Sequence, residues 1–186
     1  MTIDVKQVCR YLRLYGRQPG AALEERIDAM LEAAQKTMRP LRTWRRFDDI
    51  FAAGGSDSES LRKHLAGCHA VYLVCGTIGA AFDALQRKTS ATSPSDAFVL
   101  QAIGAAAIEA WMDETEAEIR RELKDGELLV DRYSPGYGDY PLVAQRRLLS
   151  LLDAPRNVGV SLTDTLMMVP SKSVSAVIGV KMEEST

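Results

Sequence analysis

Apolar positions recur at helical spacing along the first part of the chain, so residues 4–38 read as a helical region, broken at 16–20 where glycines and a proline interrupt the period. Pro40 and the Gly54-Gly55-Ser56 step mark loops, and a short helix is predicted over 58–65. The pattern then changes. AVYLVC, residues 70–75, is an unbroken apolar run of strand length that ends at Gly76. Such a run suits a strand buried on both faces, although periodicity alone leaves helix open. Beyond Thr77-Ile78-Gly79, helical spacing returns as far as residue 88. The longest periodic segment, 94–124, opens on Ser93-Pro94-Ser95-Asp96 and is stopped by Asp125-Gly126. Proline fits a first helical turn because its missing N–H is not needed there, and an acid complements the positive end of the helix dipole.

Residues 127–132 predict a short strand that runs into RYSPGYGDYP, residues 132–141, a loop dense in tyrosine, glycine and proline. Asp139 is placed to cap the next helix, with Pro141 in its first turn and Leu142, Leu148, Leu149 and Leu152 on one face. In the tail, two β-rich runs, 165–169 and 173–180, flank Pro170-Ser171-Lys172 and predict a hairpin. Strands and helices mix without βαβ alternation, which predicts an α+β fold rather than a doubly wound one. No repeat or low-complexity linker divides the chain, so one domain over 1–186 is expected, its N-terminal helical part covering about 1–56.

Composition narrows the function. The chain has 186 residues, 46% of them hydrophobic and 26% charged, with a formal charge of −2, so no global field draws it to nucleic acid or to an anionic membrane. Arg39, Arg42, Arg45 and Arg46 around Trp44 are the dense basic cluster, and read as a solvated arginine face in preference to an anion site. No apolar run reaches the ~18 residues a membrane span needs. Three cysteines without paired spacing, and a start that alternates charge with apolar residues, predict a cytoplasmic protein with reduced thiols. Phosphate-binding glycine motifs are absent. His64, Cys68, His69 and Cys75 match no zinc spacing and read as core or surface residues. With only two histidines, both in one short stretch, no nucleophile–base constellation can be argued, and a self-contained enzyme is not indicated.

The loop carries the chemistry. Arg132 at a strand end offers a planar fork of donors suited to a carboxylate. Ser134 and Pro135 constrain the turn, Gly136 lets a ligand approach the backbone, and Tyr137 offers a flat amphipathic wall. A small zwitterion bearing an aromatic base would use all of these; a tight turn with Arg132 in an internal ion pair would use them equally well. Glu109 lies on the face of the long helix shared by Phe98, Ala102, Ala105 and Ala106. It is either a part-buried carboxylate that needs a cation, from Arg132, Lys124 or a ligand, or an ordinary exposed acid.

These residues bring a family into view. RYSPGY (132–137) resembles the RxxxGY signature of the activation domain of cobalamin-dependent methionine synthase. The likeness continues through Asp139-Tyr-Pro-Leu, VGVSLT (158–163), LMMVP (166–170) and Ser173-Val-Ser, and upstream through Ile108-Glu109-Ala110 and residues 71–79. It is clearest over 61–180. The resemblance implies a twisted, mostly antiparallel sheet with flanking helices that binds S-adenosylmethionine. It implies that Arg132 holds the methionine carboxylate, that the backbone of Ser134 and Gly136 lines the adenine, that Tyr137 closes the site and that Glu109 faces the cationic part. The family's acid six residues before the arginine falls on Gly126 here, with Glu127 one position off. The chain ends at Thr186, before a family strand that carries a ligand-contacting tyrosine, so weak binding is expected. There is no DxHxxG cobalamin motif. The cobalamin is therefore expected on a separate partner, a methionine synthase or another corrinoid methyltransferase, with a flavodoxin-like electron donor. A module that docks on a corrinoid protein without S-adenosylmethionine is the alternative.

Overall fold

The computed structural model describes residues 1–183. The chain runs through α1 (Val5–Tyr11), α2 (Ala21–Thr37), β1 (Leu41–Phe47), α3 (Glu59–His64), β2 (Cys68–Thr77), α4 (Ala80–Thr92) and α5 (Pro94–Ile119). There follow β3 (Glu127–Tyr133), α6 (Ala144–Leu151), α7 (Ala154–Asn157), β4 (Ser161–Leu162), β5 (Met168–Val169) and β6 (Ser173–Met182). Four strands form one sheet in the order β1-β2-β6-β3, each neighbouring pair antiparallel, and β4 pairs with β5 in a small second sheet. This is an α+β fold with helices at its N-terminus, as the sequence predicts.

The apolar run that reads as a doubly buried strand is the central β2, buried from Ala70 to Thr77. One face of the sheet, through Tyr72, Val74, Ala176 and Ile178, packs on α1, α2, α4 and α5. The other, through Val71, Leu73, Cys75 and Val177, packs on α6, α7 and the segment around Leu61. Helix α5 is buried along most of its length, so it behaves as a core helix rather than an amphipathic surface one. Ser93 caps it, with Pro94 in its first turn. At Gly104 a Cβ would run into the Phe82 ring, so glycine there lets α4 close on α5.

Three local expectations are corrected. Residues 41–47 form the edge strand β1, unforeseen because LRTWRRF carries the polar composition that keeps sheet edges from pairing with other chains. The arginines on and just before it are not a plain solvated face. Arg42 lies 4.1 Å over the Trp111 ring and pairs with Glu118, Arg46 pairs with Glu127 at 2.6 Å, and Arg39 and Arg45 alone of the four are exposed. Nor do residues 165–169 and 173–180 form a hairpin. Residues 168–169 pair with β4, while β6 inserts between β2 and β3. Ala176, Ile178 and Val180 face one core and Val177 the other, and burial on both sides outweighs the local turn at Pro170.

Candidate functional site

Arg132 lies near the end of β3, opposite Ile178 of β6, just past an irregularity in the ladder between Leu129 and Arg132. Its side chain turns toward α5 and is 17% exposed. Glu109, Asp113 and Glu116, spaced by four and three residues, present carboxylates from one face of that helix. The Arg132 Nη2 donates to Glu109 Oε2 at 3.0 Å and to Asp113 Oδ1 at 2.9 Å. Nη1 lies 2.8 Å from Glu116 Oε1 but is not aligned to donate, so it is a buried donor whose charge is compensated and whose hydrogen bond is unmade. Glu116 is shared with Arg120 at 3.1 Å.

A cavity of about 340 Å³ opens over this pair, lined by Glu109, Asp113, Arg132, Ser134, Tyr137 and Val174, with Glu116 and Asp131 completing it. That volume lies within the range of small-molecule sites. Four of the five residues singled out in the sequence, Glu109, Arg132, Ser134 and Tyr137, therefore meet in one place. Gly136 does not line it. Its N–H is engaged by the Tyr140 carbonyl at 2.8 Å, and its φ of 97° is what glycine contributes, a turn that L side chains rarely adopt. Arg132 holds an internal ion-pair cluster and also lines the cavity. Glu109 is half exposed and finds its cation in Arg132; Lys124 is not in the cluster.

The three tyrosines divide their roles. Tyr140 is buried, its phenol pushed up to about 12 by burial, and Tyr133 stacks against it with centroids 6.3 Å apart. Tyr137 meets Tyr133 edge-on at 5.9 Å and is left 60% exposed at the cavity. Asp139 does not cap the helix that follows it. Its carboxylate accepts from the Ser58 hydroxyl at 2.5 Å, from the N–H groups of Glu59 at 2.8 Å and Ser60 at 3.1 Å, and from the Ser60 hydroxyl. These donors hold it well below the usual carboxylate range, the Ser58 hydroxyl first among them. The loop is thus latched to the start of α3, and Gly138 permits it, because a Cβ there would meet the Ser60 and Tyr133 hydroxyls.

One wall of the site escapes sequence reasoning. A wider cleft of about 1080 Å³ shares Glu109, Asp113 and Arg132 with the cavity and is closed on its far side by Gln7, Arg10, Tyr11 and Arg13 of α1 and the turn after it. About a hundred residues separate the two walls, and the only signal at the sequence level is the recurrence of arginine and tyrosine in RYLRLY, residues 10–15. Glu127, the displaced acid, is at the other end of β3 and takes no part. Arg46, His69 at 2.9 Å and the Lys124 N–H at 3.0 Å surround it. His64 bonds the Asp131 carbonyl at 2.7 Å, and Cys75 is buried, its thiol pushed up to about 12. Among the described residues, no helix is long and apolar enough to cross a membrane.

The family model described as vitamin B12 dependent methionine synthase, activation domain, matches residues 77–185. Among solved structures, a crystal structure of the MetH reactivation domain bound to AdoHcy aligns with a TM-score of 0.62 and 17% identity, over 94% of this chain and 70% of that one. At that identity the likeness speaks for the fold. No curated protein matches the chain.

Proposed function

The chain belongs to the family of activation domains of vitamin B12-dependent methionine synthases, and from that premise we propose that it binds S-adenosylmethionine between β3 and α5 and supports reductive methylation of cob(II)alamin on a separate methionine synthase. The observation that carries the reading is the convergence of Arg132, Glu109, Ser134 and Tyr137 on one cavity. The Arg132 guanidinium lines that cavity, and its planar fork of donors suits a ligand carboxylate. Displacing Asp113, 71% exposed, from the guanidinium costs little, because an exposed ion pair is worth about 0–1 kcal/mol. Glu109 and Asp113, released from Arg132, then face the ammonium and sulfonium groups. The surplus of acid over base in the cavity suits a ligand of net positive charge. Ser134 and Tyr137 border the remaining side, where the purine fits.

When bound, S-adenosylmethionine would supply an activated methyl group for the partner's cobalt, reduced by one electron from a flavodoxin-like donor, and would leave as its neutral thioether. The residues of this chain bind and orient. Holding the ligand by its carboxylate and its charge fixes the methyl group in place, and such positioning replaces a bimolecular encounter by a local one. The test has two parts. Calorimetry should show S-adenosylmethionine binding that is weakened in Arg132→Ala. The native chain, added to a corrinoid protein in the cob(II)alamin state with S-adenosylmethionine and a low-potential one-electron donor, should speed the appearance of the methylcobalamin spectrum. A second reading, a docking module without ligand, draws on the three carboxylates already gathered around Arg132. Absent calorimetric binding, together with a measurable complex with the corrinoid protein, would favour it.

A further inference from the structure

Tyr11 ends α1, a short helix anchored on the core by Val8 and Leu12, both buried. Its ring is not part of that anchor. It is 44% exposed and stands in the cleft wall across from Glu109, Asp113 and Arg132. The chain beyond it is built at a conformational cost. Arg13 and Tyr15, neither of them glycine, adopt φ of 61° and 46°, and the turn is held by Leu14 N–H on the Cys9 carbonyl at 3.1 Å and Arg17 N–H on the Leu14 carbonyl at 2.9 Å. Burial, then the Glu109 carboxylate, push the Tyr11 phenol above its ordinary value, against the opposing pull of Arg10. It is protonated and neutral at physiological pH, and its ring offers an electron-rich face beside two carboxylates. That combination recognises a desolvated cation bearing alkyl groups, and gives a neutral thioether nothing comparable.

Resting on the proposed S-adenosylmethionine site, we infer that Tyr11 is a specificity-determining residue that reads the positive sulfonium, so that the chain distinguishes S-adenosylmethionine from its demethylated thioether, AdoHcy. Tyr11 then walls the cleft from the N-terminal helix and Tyr137 walls the adjoining cavity from the loop, the two spaces sharing Glu109, Asp113 and Arg132. The experiment is calorimetry of the full chain with both ligands, on the native protein and on Tyr11→Phe, Tyr11→Leu and Tyr11→Gln. Tyr11→Phe should keep the preference for the sulfonium within about twofold. The two variants without a ring should lose about fivefold to twentyfold in affinity for S-adenosylmethionine and less than about twofold for AdoHcy. Two such variants guard against one of them failing to fold, and thermal melting followed by circular dichroism identifies that case. Equal weakening of both ligands, or no weakening, overturns the assignment of Tyr11 while leaving the site standing. A native chain that binds neither ligand overturns the site and this assignment together.

Discussion

The Asp139 carboxylate accepts the Ser58 hydroxyl at 2.5 Å across 81 positions of sequence, and so ties the loop that carries it to the start of α3. Ser58 is also that helix's own cap, accepting from the Leu61 N–H at 3.1 Å. One hydroxyl therefore serves two elements. Ser58→Ala should cost about 1–2 kcal/mol of stability, the usual value of a lost N-cap, read from urea denaturation. Asp139→Ala should leave the sheet intact but free the loop around Tyr137, seen as faster proteolysis between 134 and 140 and weaker ligand binding. If proteolysis in that loop is unchanged, the latch does not hold it.

A pH dependence follows from two depressed carboxylates. Glu127 is held well below the usual carboxylate range, first by its hydrogen bonds to Arg46, and Asp139 likewise by Ser58. Each therefore binds fewer protons folded than unfolded, so its contribution is fully present above the unfolded value, about 4. It is lost progressively as the pH falls through that region toward the lower folded value. Glu127→Gln should destabilise the protein by about 1–3 kcal/mol at pH 7, since the charged hydrogen bonds from Arg46 to this buried carboxylate are lost. The gap between variant and native protein should narrow steadily below pH 4. A gap that stays constant down to pH 3 would mean that Glu127 acts through shape and not charge.

How much of this was legible in the sequence differs from element to element. The continuous run in β2 and the capped start of α5 were readable because burial and capping leave local marks. β1 was not, since an edge strand is selected for polarity and looks like a loop. Asp139 departs from its local signal for a related reason. A capping acid followed by Pro141 satisfies a local rule, yet the helix behind it begins at Ala144, and its carboxylate found stronger donors on α3. Partner choice for β6 lay beyond periodicity altogether. For the site, Arg132, Ser134 and Tyr137 stand close together in one motif, and Glu109 was separable as a carboxylate on an alanine-rich face. Asp113 and Glu116 belong to a charged stretch of the helix, and nothing local says that Arg132 is aimed at them. Tyr11 carries no mark in the sequence that distinguishes it from the other tyrosines.

Glu109→Gln separates charge from packing. The side chain is 48% exposed and its pair with Arg132 is one of three around the same guanidinium, so the loss in stability should stay below about 1 kcal/mol, with little change in Tm. Ligand affinity should fall, because the cavity loses a carboxylate that would face the sulfonium or the ammonium. Scanning calorimetry and titration on the same preparation check both halves. A lowered Tm with normal affinity would identify Glu109 as a structural partner of Arg132 only.

Arg132 is the residue on which the two uses of the site diverge most. In the protein alone it neutralises Glu109, Asp113 and Glu116, of which only Glu116 is well buried, at 12% exposure, and Glu116 keeps Arg120 if Arg132 is removed. Arg132→Ala should therefore cost only about 1–2 kcal/mol in stability. In the proposed site it would supply the planar fork, and losing a charge-assisted contact of roughly 1.5–3 kcal/mol should lower affinity by about one to two decades. Arg132→Lys sharpens the test. Lysine keeps the charge and so should restore most of the stability, but its single ammonium cannot present two parallel donors, so affinity should remain at least about fivefold below native. Titration of both variants with S-adenosylmethionine, beside their denaturation curves, gives the answer. Affinity that tracks stability through the series would mean that Arg132 only shapes the cavity; affinity lost where stability is regained places the guanidinium on the ligand.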